Sequence, residues 1–231
     1  MKRLSHWLKR GLLGLLGLFL IWQLWLLGWV LLWGWVNPGQ TRFMEIRLAE
    51  LQQKVPDAKL RHQWVPYERI STHLKRAIIA AEDAKFVDHE GFDWEGMQKA
   101  LEKNQRKGRL AAGGSTISQQ LAKNLFLTPT KSYFRKAEEA IITLMLENLW
   151  SKRRIFEVYL NVIEWGNGVF GAEAAARHYY SLSAAQLGPE QAARLAGMVP
   201  NPRYYDRNRN APGLARKSAI ILGRMPGAEI P

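Results

Sequence analysis

Hydrophobic and polar positions divide this 231-residue chain into one uninterrupted apolar run and a longer amphipathic part. No charged residue occurs between residues 11 and 41, and residues 12–36 are almost wholly apolar. A helix rises 1.5 Å per residue, so about 26 residues span roughly 39 Å, enough to cross the hydrocarbon core of a bilayer with some tilt. The pattern therefore predicts one transmembrane helix over residues 11–36.

The apolar run has the features of an uncleaved anchor. A signal peptide has an apolar core of about 7–15 residues and small residues before its cleavage site. Here the run is longer and ends in GWVNPG, with the bulky Trp35. By the positive-inside rule, a basic head over residues 1–10 stays in the cytoplasm and the rest of the chain lies outside it. The positive charges of this head are Lys2, Arg3, Lys9 and Arg10.

Beyond the anchor, apolar residues recur at spacings of three and four, which predicts helices. Residues 37–63 are expected to form a juxtamembrane connection, and residues 64–231 a single domain. No stretch shows several alternating strands, so the fold class is all-α. Helices are predicted around residues 70–81, 94–106, 117–125, 137–144, 155–162, 189–198 and 214–225.

The composition excludes several kinds of functional site and indicates the class of partner. The chain has no Cys, which excludes disulfides, a thiolate nucleophile and a Cys-ligated metal site. The formal charge of +13 points to an acidic partner: nucleic acid, an anionic membrane surface or a phosphorylated substrate. Because the anchor places the domain outside the cytoplasm, nucleic acid is not expected. Without the four charges before the anchor, +9 remains for a membrane surface or a phosphate group. HExxH, Walker, GxSxG and SxxK motifs are absent.

The segment EDAKFVDHEG (residues 82–91) places a carboxylate at the end of an apolar helix. Partial burial raises the pKa of a carboxyl group, which makes Glu82 a candidate proton acceptor. The alternative is a helix-end salt bridge from Glu82 to Lys75 or Lys85. His89 is either a catalytic base or a hydrogen-bonded residue that holds the turn.

Two further segments combine polar groups at helical spacing. In GGSTISQQLAKN (residues 113–124), a helix start capped by Ser115 would offer free N–H groups to phosphate oxygens, with Gln120 and Lys123 on one stripe. The alternative is a capped helix with a solvated face. In residues 131–147, Arg135 and Lys136 precede Glu139 by four and three positions, which also fits a surface ion-pair ladder.

Taken in order, these segments resemble the peptidoglycan glycosyltransferases of family 51. That family has EDxxFxxHxG, GGSTITQQxxKN, RKxxE and KxxILExYLN, and this chain has EDAKFVDHEG, GGSTISQQLAKN, RKAEE and KRRIFEVYLN. Ser118 replaces the usual Thr, and Phe156 a usual Leu. The likeness runs from about residue 67 to 225. With no penicillin-binding motifs, a monofunctional member of the Gram-negative inner membrane is expected.

The resemblance implies a lysozyme-like helical domain that polymerises lipid II into β-1,4 glycan strands and releases undecaprenyl pyrophosphate. It implies Glu82 as the general base and Glu139 as a second carboxylate on the leaving-group side, acting directly or through a divalent cation (Mg or Mn). No cofactor is otherwise required, and no protein metal site is expected. The partners implied are lipid II, the growing strand, inner-membrane lipids and other cell-wall synthesis or division proteins. Substrate binding is assigned to Ser115, Gln120, Lys123, Lys131, Arg135 and Lys136.

Two other functions fit parts of the sequence. A lysozyme-like hydrolase would share the fold and the polymer, but it has no pyrophosphate to hold. A non-catalytic scaffold of the cell-wall machinery would not need Glu82. In the glycosyltransferase, residues 92–112, which lie between the first two motifs and are polar and interrupted by Gly108, are predicted to be the mobile part of the site.

Overall fold

The computed structural model describes residues 2–108, 113–130 and 132–231, and the chain divides into two compact units over residues 1–37 and 38–231. The described residues are predominantly helical, which confirms the all-α prediction. Of the segment predicted to be mobile, residues 94–107 form a helix and residues 109–112 lie outside the described residues. Its mobility stays a prediction that hydrogen exchange would measure.

The first unit is the long helix α1 (Lys2–Trp35). Its part Lys9–Trp35 is long and apolar enough to cross a membrane. Residues three and four apart share a helix face, and four indole rings follow one another along α1 at centroid distances of 4.9–6.2 Å. These rings belong to Trp22, Trp25, Trp29 and Trp33.

The second unit is built from ten helices within the described residues. The helices are α2 (Arg42–Gln52), α3 (Thr72–Glu82), α4 (Trp94–Lys107), α5 (Ile117–Phe126), α6 (Tyr133–Leu149), α7 (Lys152–Val162), α8 (Ala172–Tyr180), α9 (Pro189–Met198), α10 (Pro202–Arg207) and α11 (Pro212–Arg224). Helices α3, α9 and α11 pack on one another, and α5 packs between α2, α6 and α7. Large side chains with no exposed surface, among them Phe86, Phe156 and Trp165, form the core.

A small sheet interrupts the helices. Its strands are β1 (Arg61–His62), β2 (Glu164–Gly166) and β3 (Val169–Phe170), in the order β1-β3-β2, with β1 parallel and β2 antiparallel to β3. Strands of two or three residues are too short to show an alternating pattern, so the sequence does not reveal them, and the all-α class is unaffected. Asn167 and Gly168 form the turn between β2 and β3.

Capping residues explain where several of the helices begin and end. Ser71 caps α3 through its hydroxyl, and Gly108 ends α4 in the left-handed conformation, as Gly does at many helix C-termini. The expected Ser115 cap is wrong, since Thr116 caps α5. Beyond the juxtamembrane connection, helices α8 and α10 were not predicted. In α8, Ala side chains replace the large apolar stripe, and α10 is only six residues long.

Candidate active site

Three helices bring the predicted site residues together. The end of α3 carries Glu82, α5 carries Gln120 and Lys123, and the first turns of α6 carry further charged residues. Between α5 and α6 lies a cavity of about 600 Å³, which we call the cationic cleft. Its walls are formed by Ser115, Gln119, Gln120, Lys123, Ser132, Tyr133, Arg135, Lys136 and Glu139.

Glu82 is joined to this cleft by a hydrogen bond. Its Oε2 accepts from Nε2 of Gln120 at 2.9 Å, and the side chain is half-buried. Burial raises the pKa of the Glu82 carboxyl group, and the Gln120 hydrogen bond and the nearby Lys217 and Lys123 oppose that rise. A carboxylate with a raised pKa is a better proton acceptor near neutral pH.

The alternative salt bridges of Glu82 are not formed. Lys85 instead contacts Oε2 of Glu95 at 2.5 Å, and the ammonium of Lys75 lies 3.9 Å from the ring centroid of Tyr67. Both lysines are therefore engaged elsewhere, and the chemistry of Glu82 depends on the cleft residues.

Lys217 is a site residue that the sequence reasoning missed. It lies on α11, 135 positions after Glu82, and its charge lowers the pKa of the Glu82 carboxyl group. Only the packing of α11 against α3 brings the two together. The available signal was the pattern RKSAII at the start of an amphipathic helix, which alone does not indicate a site.

His89 holds the turn after α3. The N–H of Gly91 donates to its Nδ1 at 3.1 Å, so Nε2 carries the proton and donates to Oδ1 of Asp83 at 2.9 Å. Asp83 also accepts the backbone N–H of Ile117 at 2.9 Å. The structural role proposed for His89 as the alternative to catalysis therefore accounts for its contacts, and Asp83 ties the start of α5 to the end of α3.

The start of α5 is closed rather than open to phosphate. The Thr116 hydroxyl accepts from the N–H of Gln119, and the Gln119 side chain accepts from the N–H of Thr116. Asp83 accepts a hydrogen bond from the N–H of Ile117. These three N–H groups are therefore engaged within the chain, as the alternative of a capped helix predicts, and they are not free to bind a phosphate. The cationic groups that line the cleft belong to side chains.

Those side chains surround a buried carboxylate. Glu139 is 3% exposed, contacts Nη1 of Arg135 at 2.5 Å and is also paired with Nζ of Lys136. The surface-ladder alternative is therefore wrong for Glu139. Burial lowers the pKa of Lys123, while the charges of Glu139 and Glu82 raise it. Nε of Arg135 is buried with no hydrogen-bond partner among the residues that the structure describes.

Of the eight site residues predicted, the structure places seven. Glu82 reaches the cleft through Gln120, and Lys131 lies outside the described residues. The other six line the cleft: Ser115, Gln120, Lys123, Arg135, Lys136 and Glu139.

A second cavity, of about 280 Å³, adjoins the cleft. It shares Gln120 and Lys123 with the cleft and is bounded on its other sides by residues 199–203 and by α2. The two cavities therefore meet at the residue that is hydrogen-bonded to Glu82. Within the described ranges, no group of three or more His, Cys, Asp or Glu is arranged to hold a metal ion.

Comparison with known proteins gives one consistent result. The family profile described as "Transglycosylase" matches residues 49–226, a range that includes every residue of the cleft. A protein from Dechloromonas aromatica named biosynthetic peptidoglycan transglycosylase is 86% identical over 231 residues, covering the whole of both chains. Proteins of the same name from an Azoarcus species and from Thiobacillus denitrificans are 65% and 56% identical over 231 residues, again over both full lengths.

Proposed function

Because this chain belongs to the transglycosylase family and is a peptidoglycan glycosyltransferase of cell-wall biosynthesis, we propose that it polymerises lipid II into β-1,4 glycan strands. Undecaprenyl pyrophosphate is the leaving group. The observation that carries the proposal is the cleft, which three cationic side chains line and which Gln120 joins by a hydrogen bond to the half-buried Glu82. A hydrolase acting on a finished polymer has no use for such a cationic cluster.

Glu82 is the general base of this reaction. The acceptor hydroxyl loses a proton as its oxygen attacks the anomeric carbon of the donor, and Glu82 takes that proton. Its raised pKa suits this task, for which a positioned base contributes roughly 10²–10⁴-fold. Attack opposite the pyrophosphate converts an α-linked donor into a β product, so no covalent enzyme intermediate is needed.

The cations stabilise the leaving group. A pyrophosphate requires neutralisation of charge more than a proton. Lys123, Arg135 and Lys136 line the cleft, and the buried Nε of Arg135 is a further donor that has no partner among the described residues. Glu139 holds Arg135 and Lys136 in place before substrate arrives. We also assign substrate binding to Ser115 at the cleft wall and to Lys131.

The two adjoining cavities match a reaction that joins two sugar chains. We place the pyrophosphate of the donor in the cationic cleft and the acceptor in the second cavity. Their shared wall at Gln120 and Lys123 then lies where the new bond forms, next to Glu82.

The residues of the cleft do not make a ready site for a divalent cation. Among the described residues the cleft offers one carboxylate, Glu139, and both of its oxygens already contact cationic side chains. We therefore assign no step of the reaction to a metal.

The apolar helix fits a membrane anchor, which suits a lipid-linked substrate. We propose a single-pass protein of the inner membrane with residues 1–10 in the cytoplasm, residues 11–36 spanning the bilayer, 37–63 as the juxtamembrane connection and 64–231 as the periplasmic catalytic domain. The charge of +9 outside the head favours contact with anionic lipid headgroups. Other cell-wall synthesis or division proteins are the protein partners that we propose.

The test is to incubate the detergent-solubilised protein with lipid II and resolve the products by length. Glu82→Gln is compared with Glu90→Gln, a matched change at an exposed residue of the same segment. Long lipid-linked strands from the parent and from Glu90→Gln, but none from Glu82→Gln, are expected. Shortening of preformed strands without polymerisation would support the hydrolase, and no reaction with either substrate would support the scaffold.

A further inference from the structure

Tyr159 of α7 lies behind the residue that contacts the base. We propose that Tyr159 is a positioning residue of the transfer reaction, which orients the Gln120 amide so that its nitrogen faces Glu82. This inference rests on the proposed role of Glu82 as the general base.

The three side chains form a continuous chain of hydrogen bonds. The Tyr159 hydroxyl donates to Oε1 of Gln120 at 3.0 Å, and Nε2 of Gln120 donates to Oε2 of Glu82 at 2.9 Å. Tyr159 has no exposed surface, so its ring is held by the core around it. A buried phenol in a packed core is a rigid reference point for a long, flexible Gln side chain.

The amide of Gln120 has two ends with opposite roles, an oxygen that accepts and a nitrogen that donates. With the amide reversed, its oxygen would face the Glu82 carboxylate and repel its negative charge. Burial raises the pKa of Tyr159 well above its ordinary value, so the hydroxyl keeps its proton at every pH at which the reaction would run. Tyr159 therefore always has a proton to donate to the Gln120 oxygen.

The Gln120 contact matters because few other groups favour the ionised form of Glu82. Lys217 on α11 and Lys123 on α5 act in the same direction, and Asp83, directly after α3, acts against it. Among these contributions the Gln120 hydrogen bond lowers the pKa of Glu82 the most. From α7, the nearby group is the neutral Tyr159.

Tyr159→Phe tests the inference, since it removes one buried oxygen and keeps the ring. The measurement is the pH dependence of kcat/KM for lipid II in detergent, whose acidic limb reports the essential base of the free enzyme. We expect that limb to move to higher pH by about half a unit to one unit, because Glu82 loses a hydrogen bond that favours its charge. At the alkaline plateau, kcat/KM should stay within about threefold of the parent value.

Tyr179→Phe is the matched control. Its hydroxyl donates to the backbone oxygen of Trp165 at 2.9 Å and not to a residue that contacts Glu82, so the acidic limb of this variant should coincide with that of the parent. Gln120→Met removes the amide and should move the acidic limb in the same direction as Tyr159→Phe. The double variant should show little more shift than either single variant, because both changes act through one contact with Glu82.

The outcomes separate this inference from the proposed function. If the parent does not polymerise lipid II, or if Glu82→Gln remains fully active, the proposed function fails. If both behave as expected but Tyr159→Phe lowers the rate equally at every pH, Tyr159 is only structural and the inference is overturned. Should Tyr159→Phe fail to fold, 3-fluorotyrosine at position 159 retains the hydroxyl as a stronger donor. It should move the limb to lower pH, and an unchanged limb would overturn the inference.

Discussion

Asp83 joins the end of α3, which carries Glu82, to the start of α5, which carries Gln120. Asp83→Asn tests how much its carboxylate contributes to stability. The buried carboxylate accepts from Nε2 of His89 and from the N–H of Ile117, both at 2.9 Å. An Asn side chain has only one accepting oxygen. Whichever way the amide turns, its NH2 group meets a donor, and one buried N–H is left without a partner.

The size of the effect follows from these two contacts. A buried donor left unpaired costs about 1–3 kcal/mol, and a negative charge lost from a helix N-terminus costs about 0.3–1 kcal/mol. We therefore expect Asp83→Asn to lower the free energy of unfolding by about 2–3 kcal/mol. In a domain of this size, that corresponds to a fall in Tm of roughly 5–10 °C.

Thermal unfolding in detergent, followed by far-ultraviolet circular dichroism, measures this fall. Asp88→Asn, at an exposed position in the same segment, is the control and should change Tm by less than about 1 °C. Asp83→Asn should also reduce polymerisation, since α3 carries Glu82 and α5 carries Gln120. A Tm for Asp83→Asn equal to that of the parent would show that this carboxylate does not join the two helices.

Three further outcomes are expected. Gly171→Ala should lower the free energy of unfolding in denaturant by about 1–3 kcal/mol, because φ of Gly171 is +81° and a Cβ would lie 2.6 Å from a backbone oxygen of α7. The control Gly223→Ala, whose Cβ would meet no atom within 4 Å, should be neutral or stabilising. Since burial raises the pKa of Glu82, the folded state loses stability as pH rises from the unfolded-state pKa through the folded one. Glu82→Gln should therefore have a higher Tm than the parent at pH 8, and the difference in Tm should be smaller at pH 5. An equal difference in Tm at the two pH values would contradict this reasoning. Arg135→Lys should reduce the polymerisation rate about tenfold through loss of the planar fork, whereas the exposed Arg177→Lys should match the parent.

Much of the fold could be predicted because local chemistry marks many of its helix boundaries. Pro189 at the first turn and Met198 at the end bound α9 as expected, and Gly108 ends α4. The missed helix α8 packs through Ala side chains, which leave no stripe of large apolar residues for a periodicity argument to detect. Its position depends on close contact with neighbouring elements, which the pattern along the chain does not contain.

The site was predictable where its residues are close in sequence. Arg135, Lys136 and Glu139 share one helix face, and helical spacing alone brings them together. Lys217 and Tyr159 contribute from α11 and α7, whose approach to Glu82 is decided by tertiary packing. Helical spacing places Tyr159 on the buried face of α7 but does not indicate its contact with Gln120, because a buried ring and a positioned hydroxyl look identical in the sequence.

The closed start of α5 has a consequence for how binding responds to the surroundings. Backbone dipoles at a helix start are fixed, whereas the side-chain cations of the cleft are partly open to solvent, as Lys136 is with 44% of its side chain exposed. Dissolved ions screen charges over a length of about 8 Å at physiological ionic strength. The apparent affinity for the proposed pyrophosphate-linked substrate should consequently weaken as ionic strength rises. In the periplasmic location that we propose, the enzyme would respond to the salt content of the medium outside the cell.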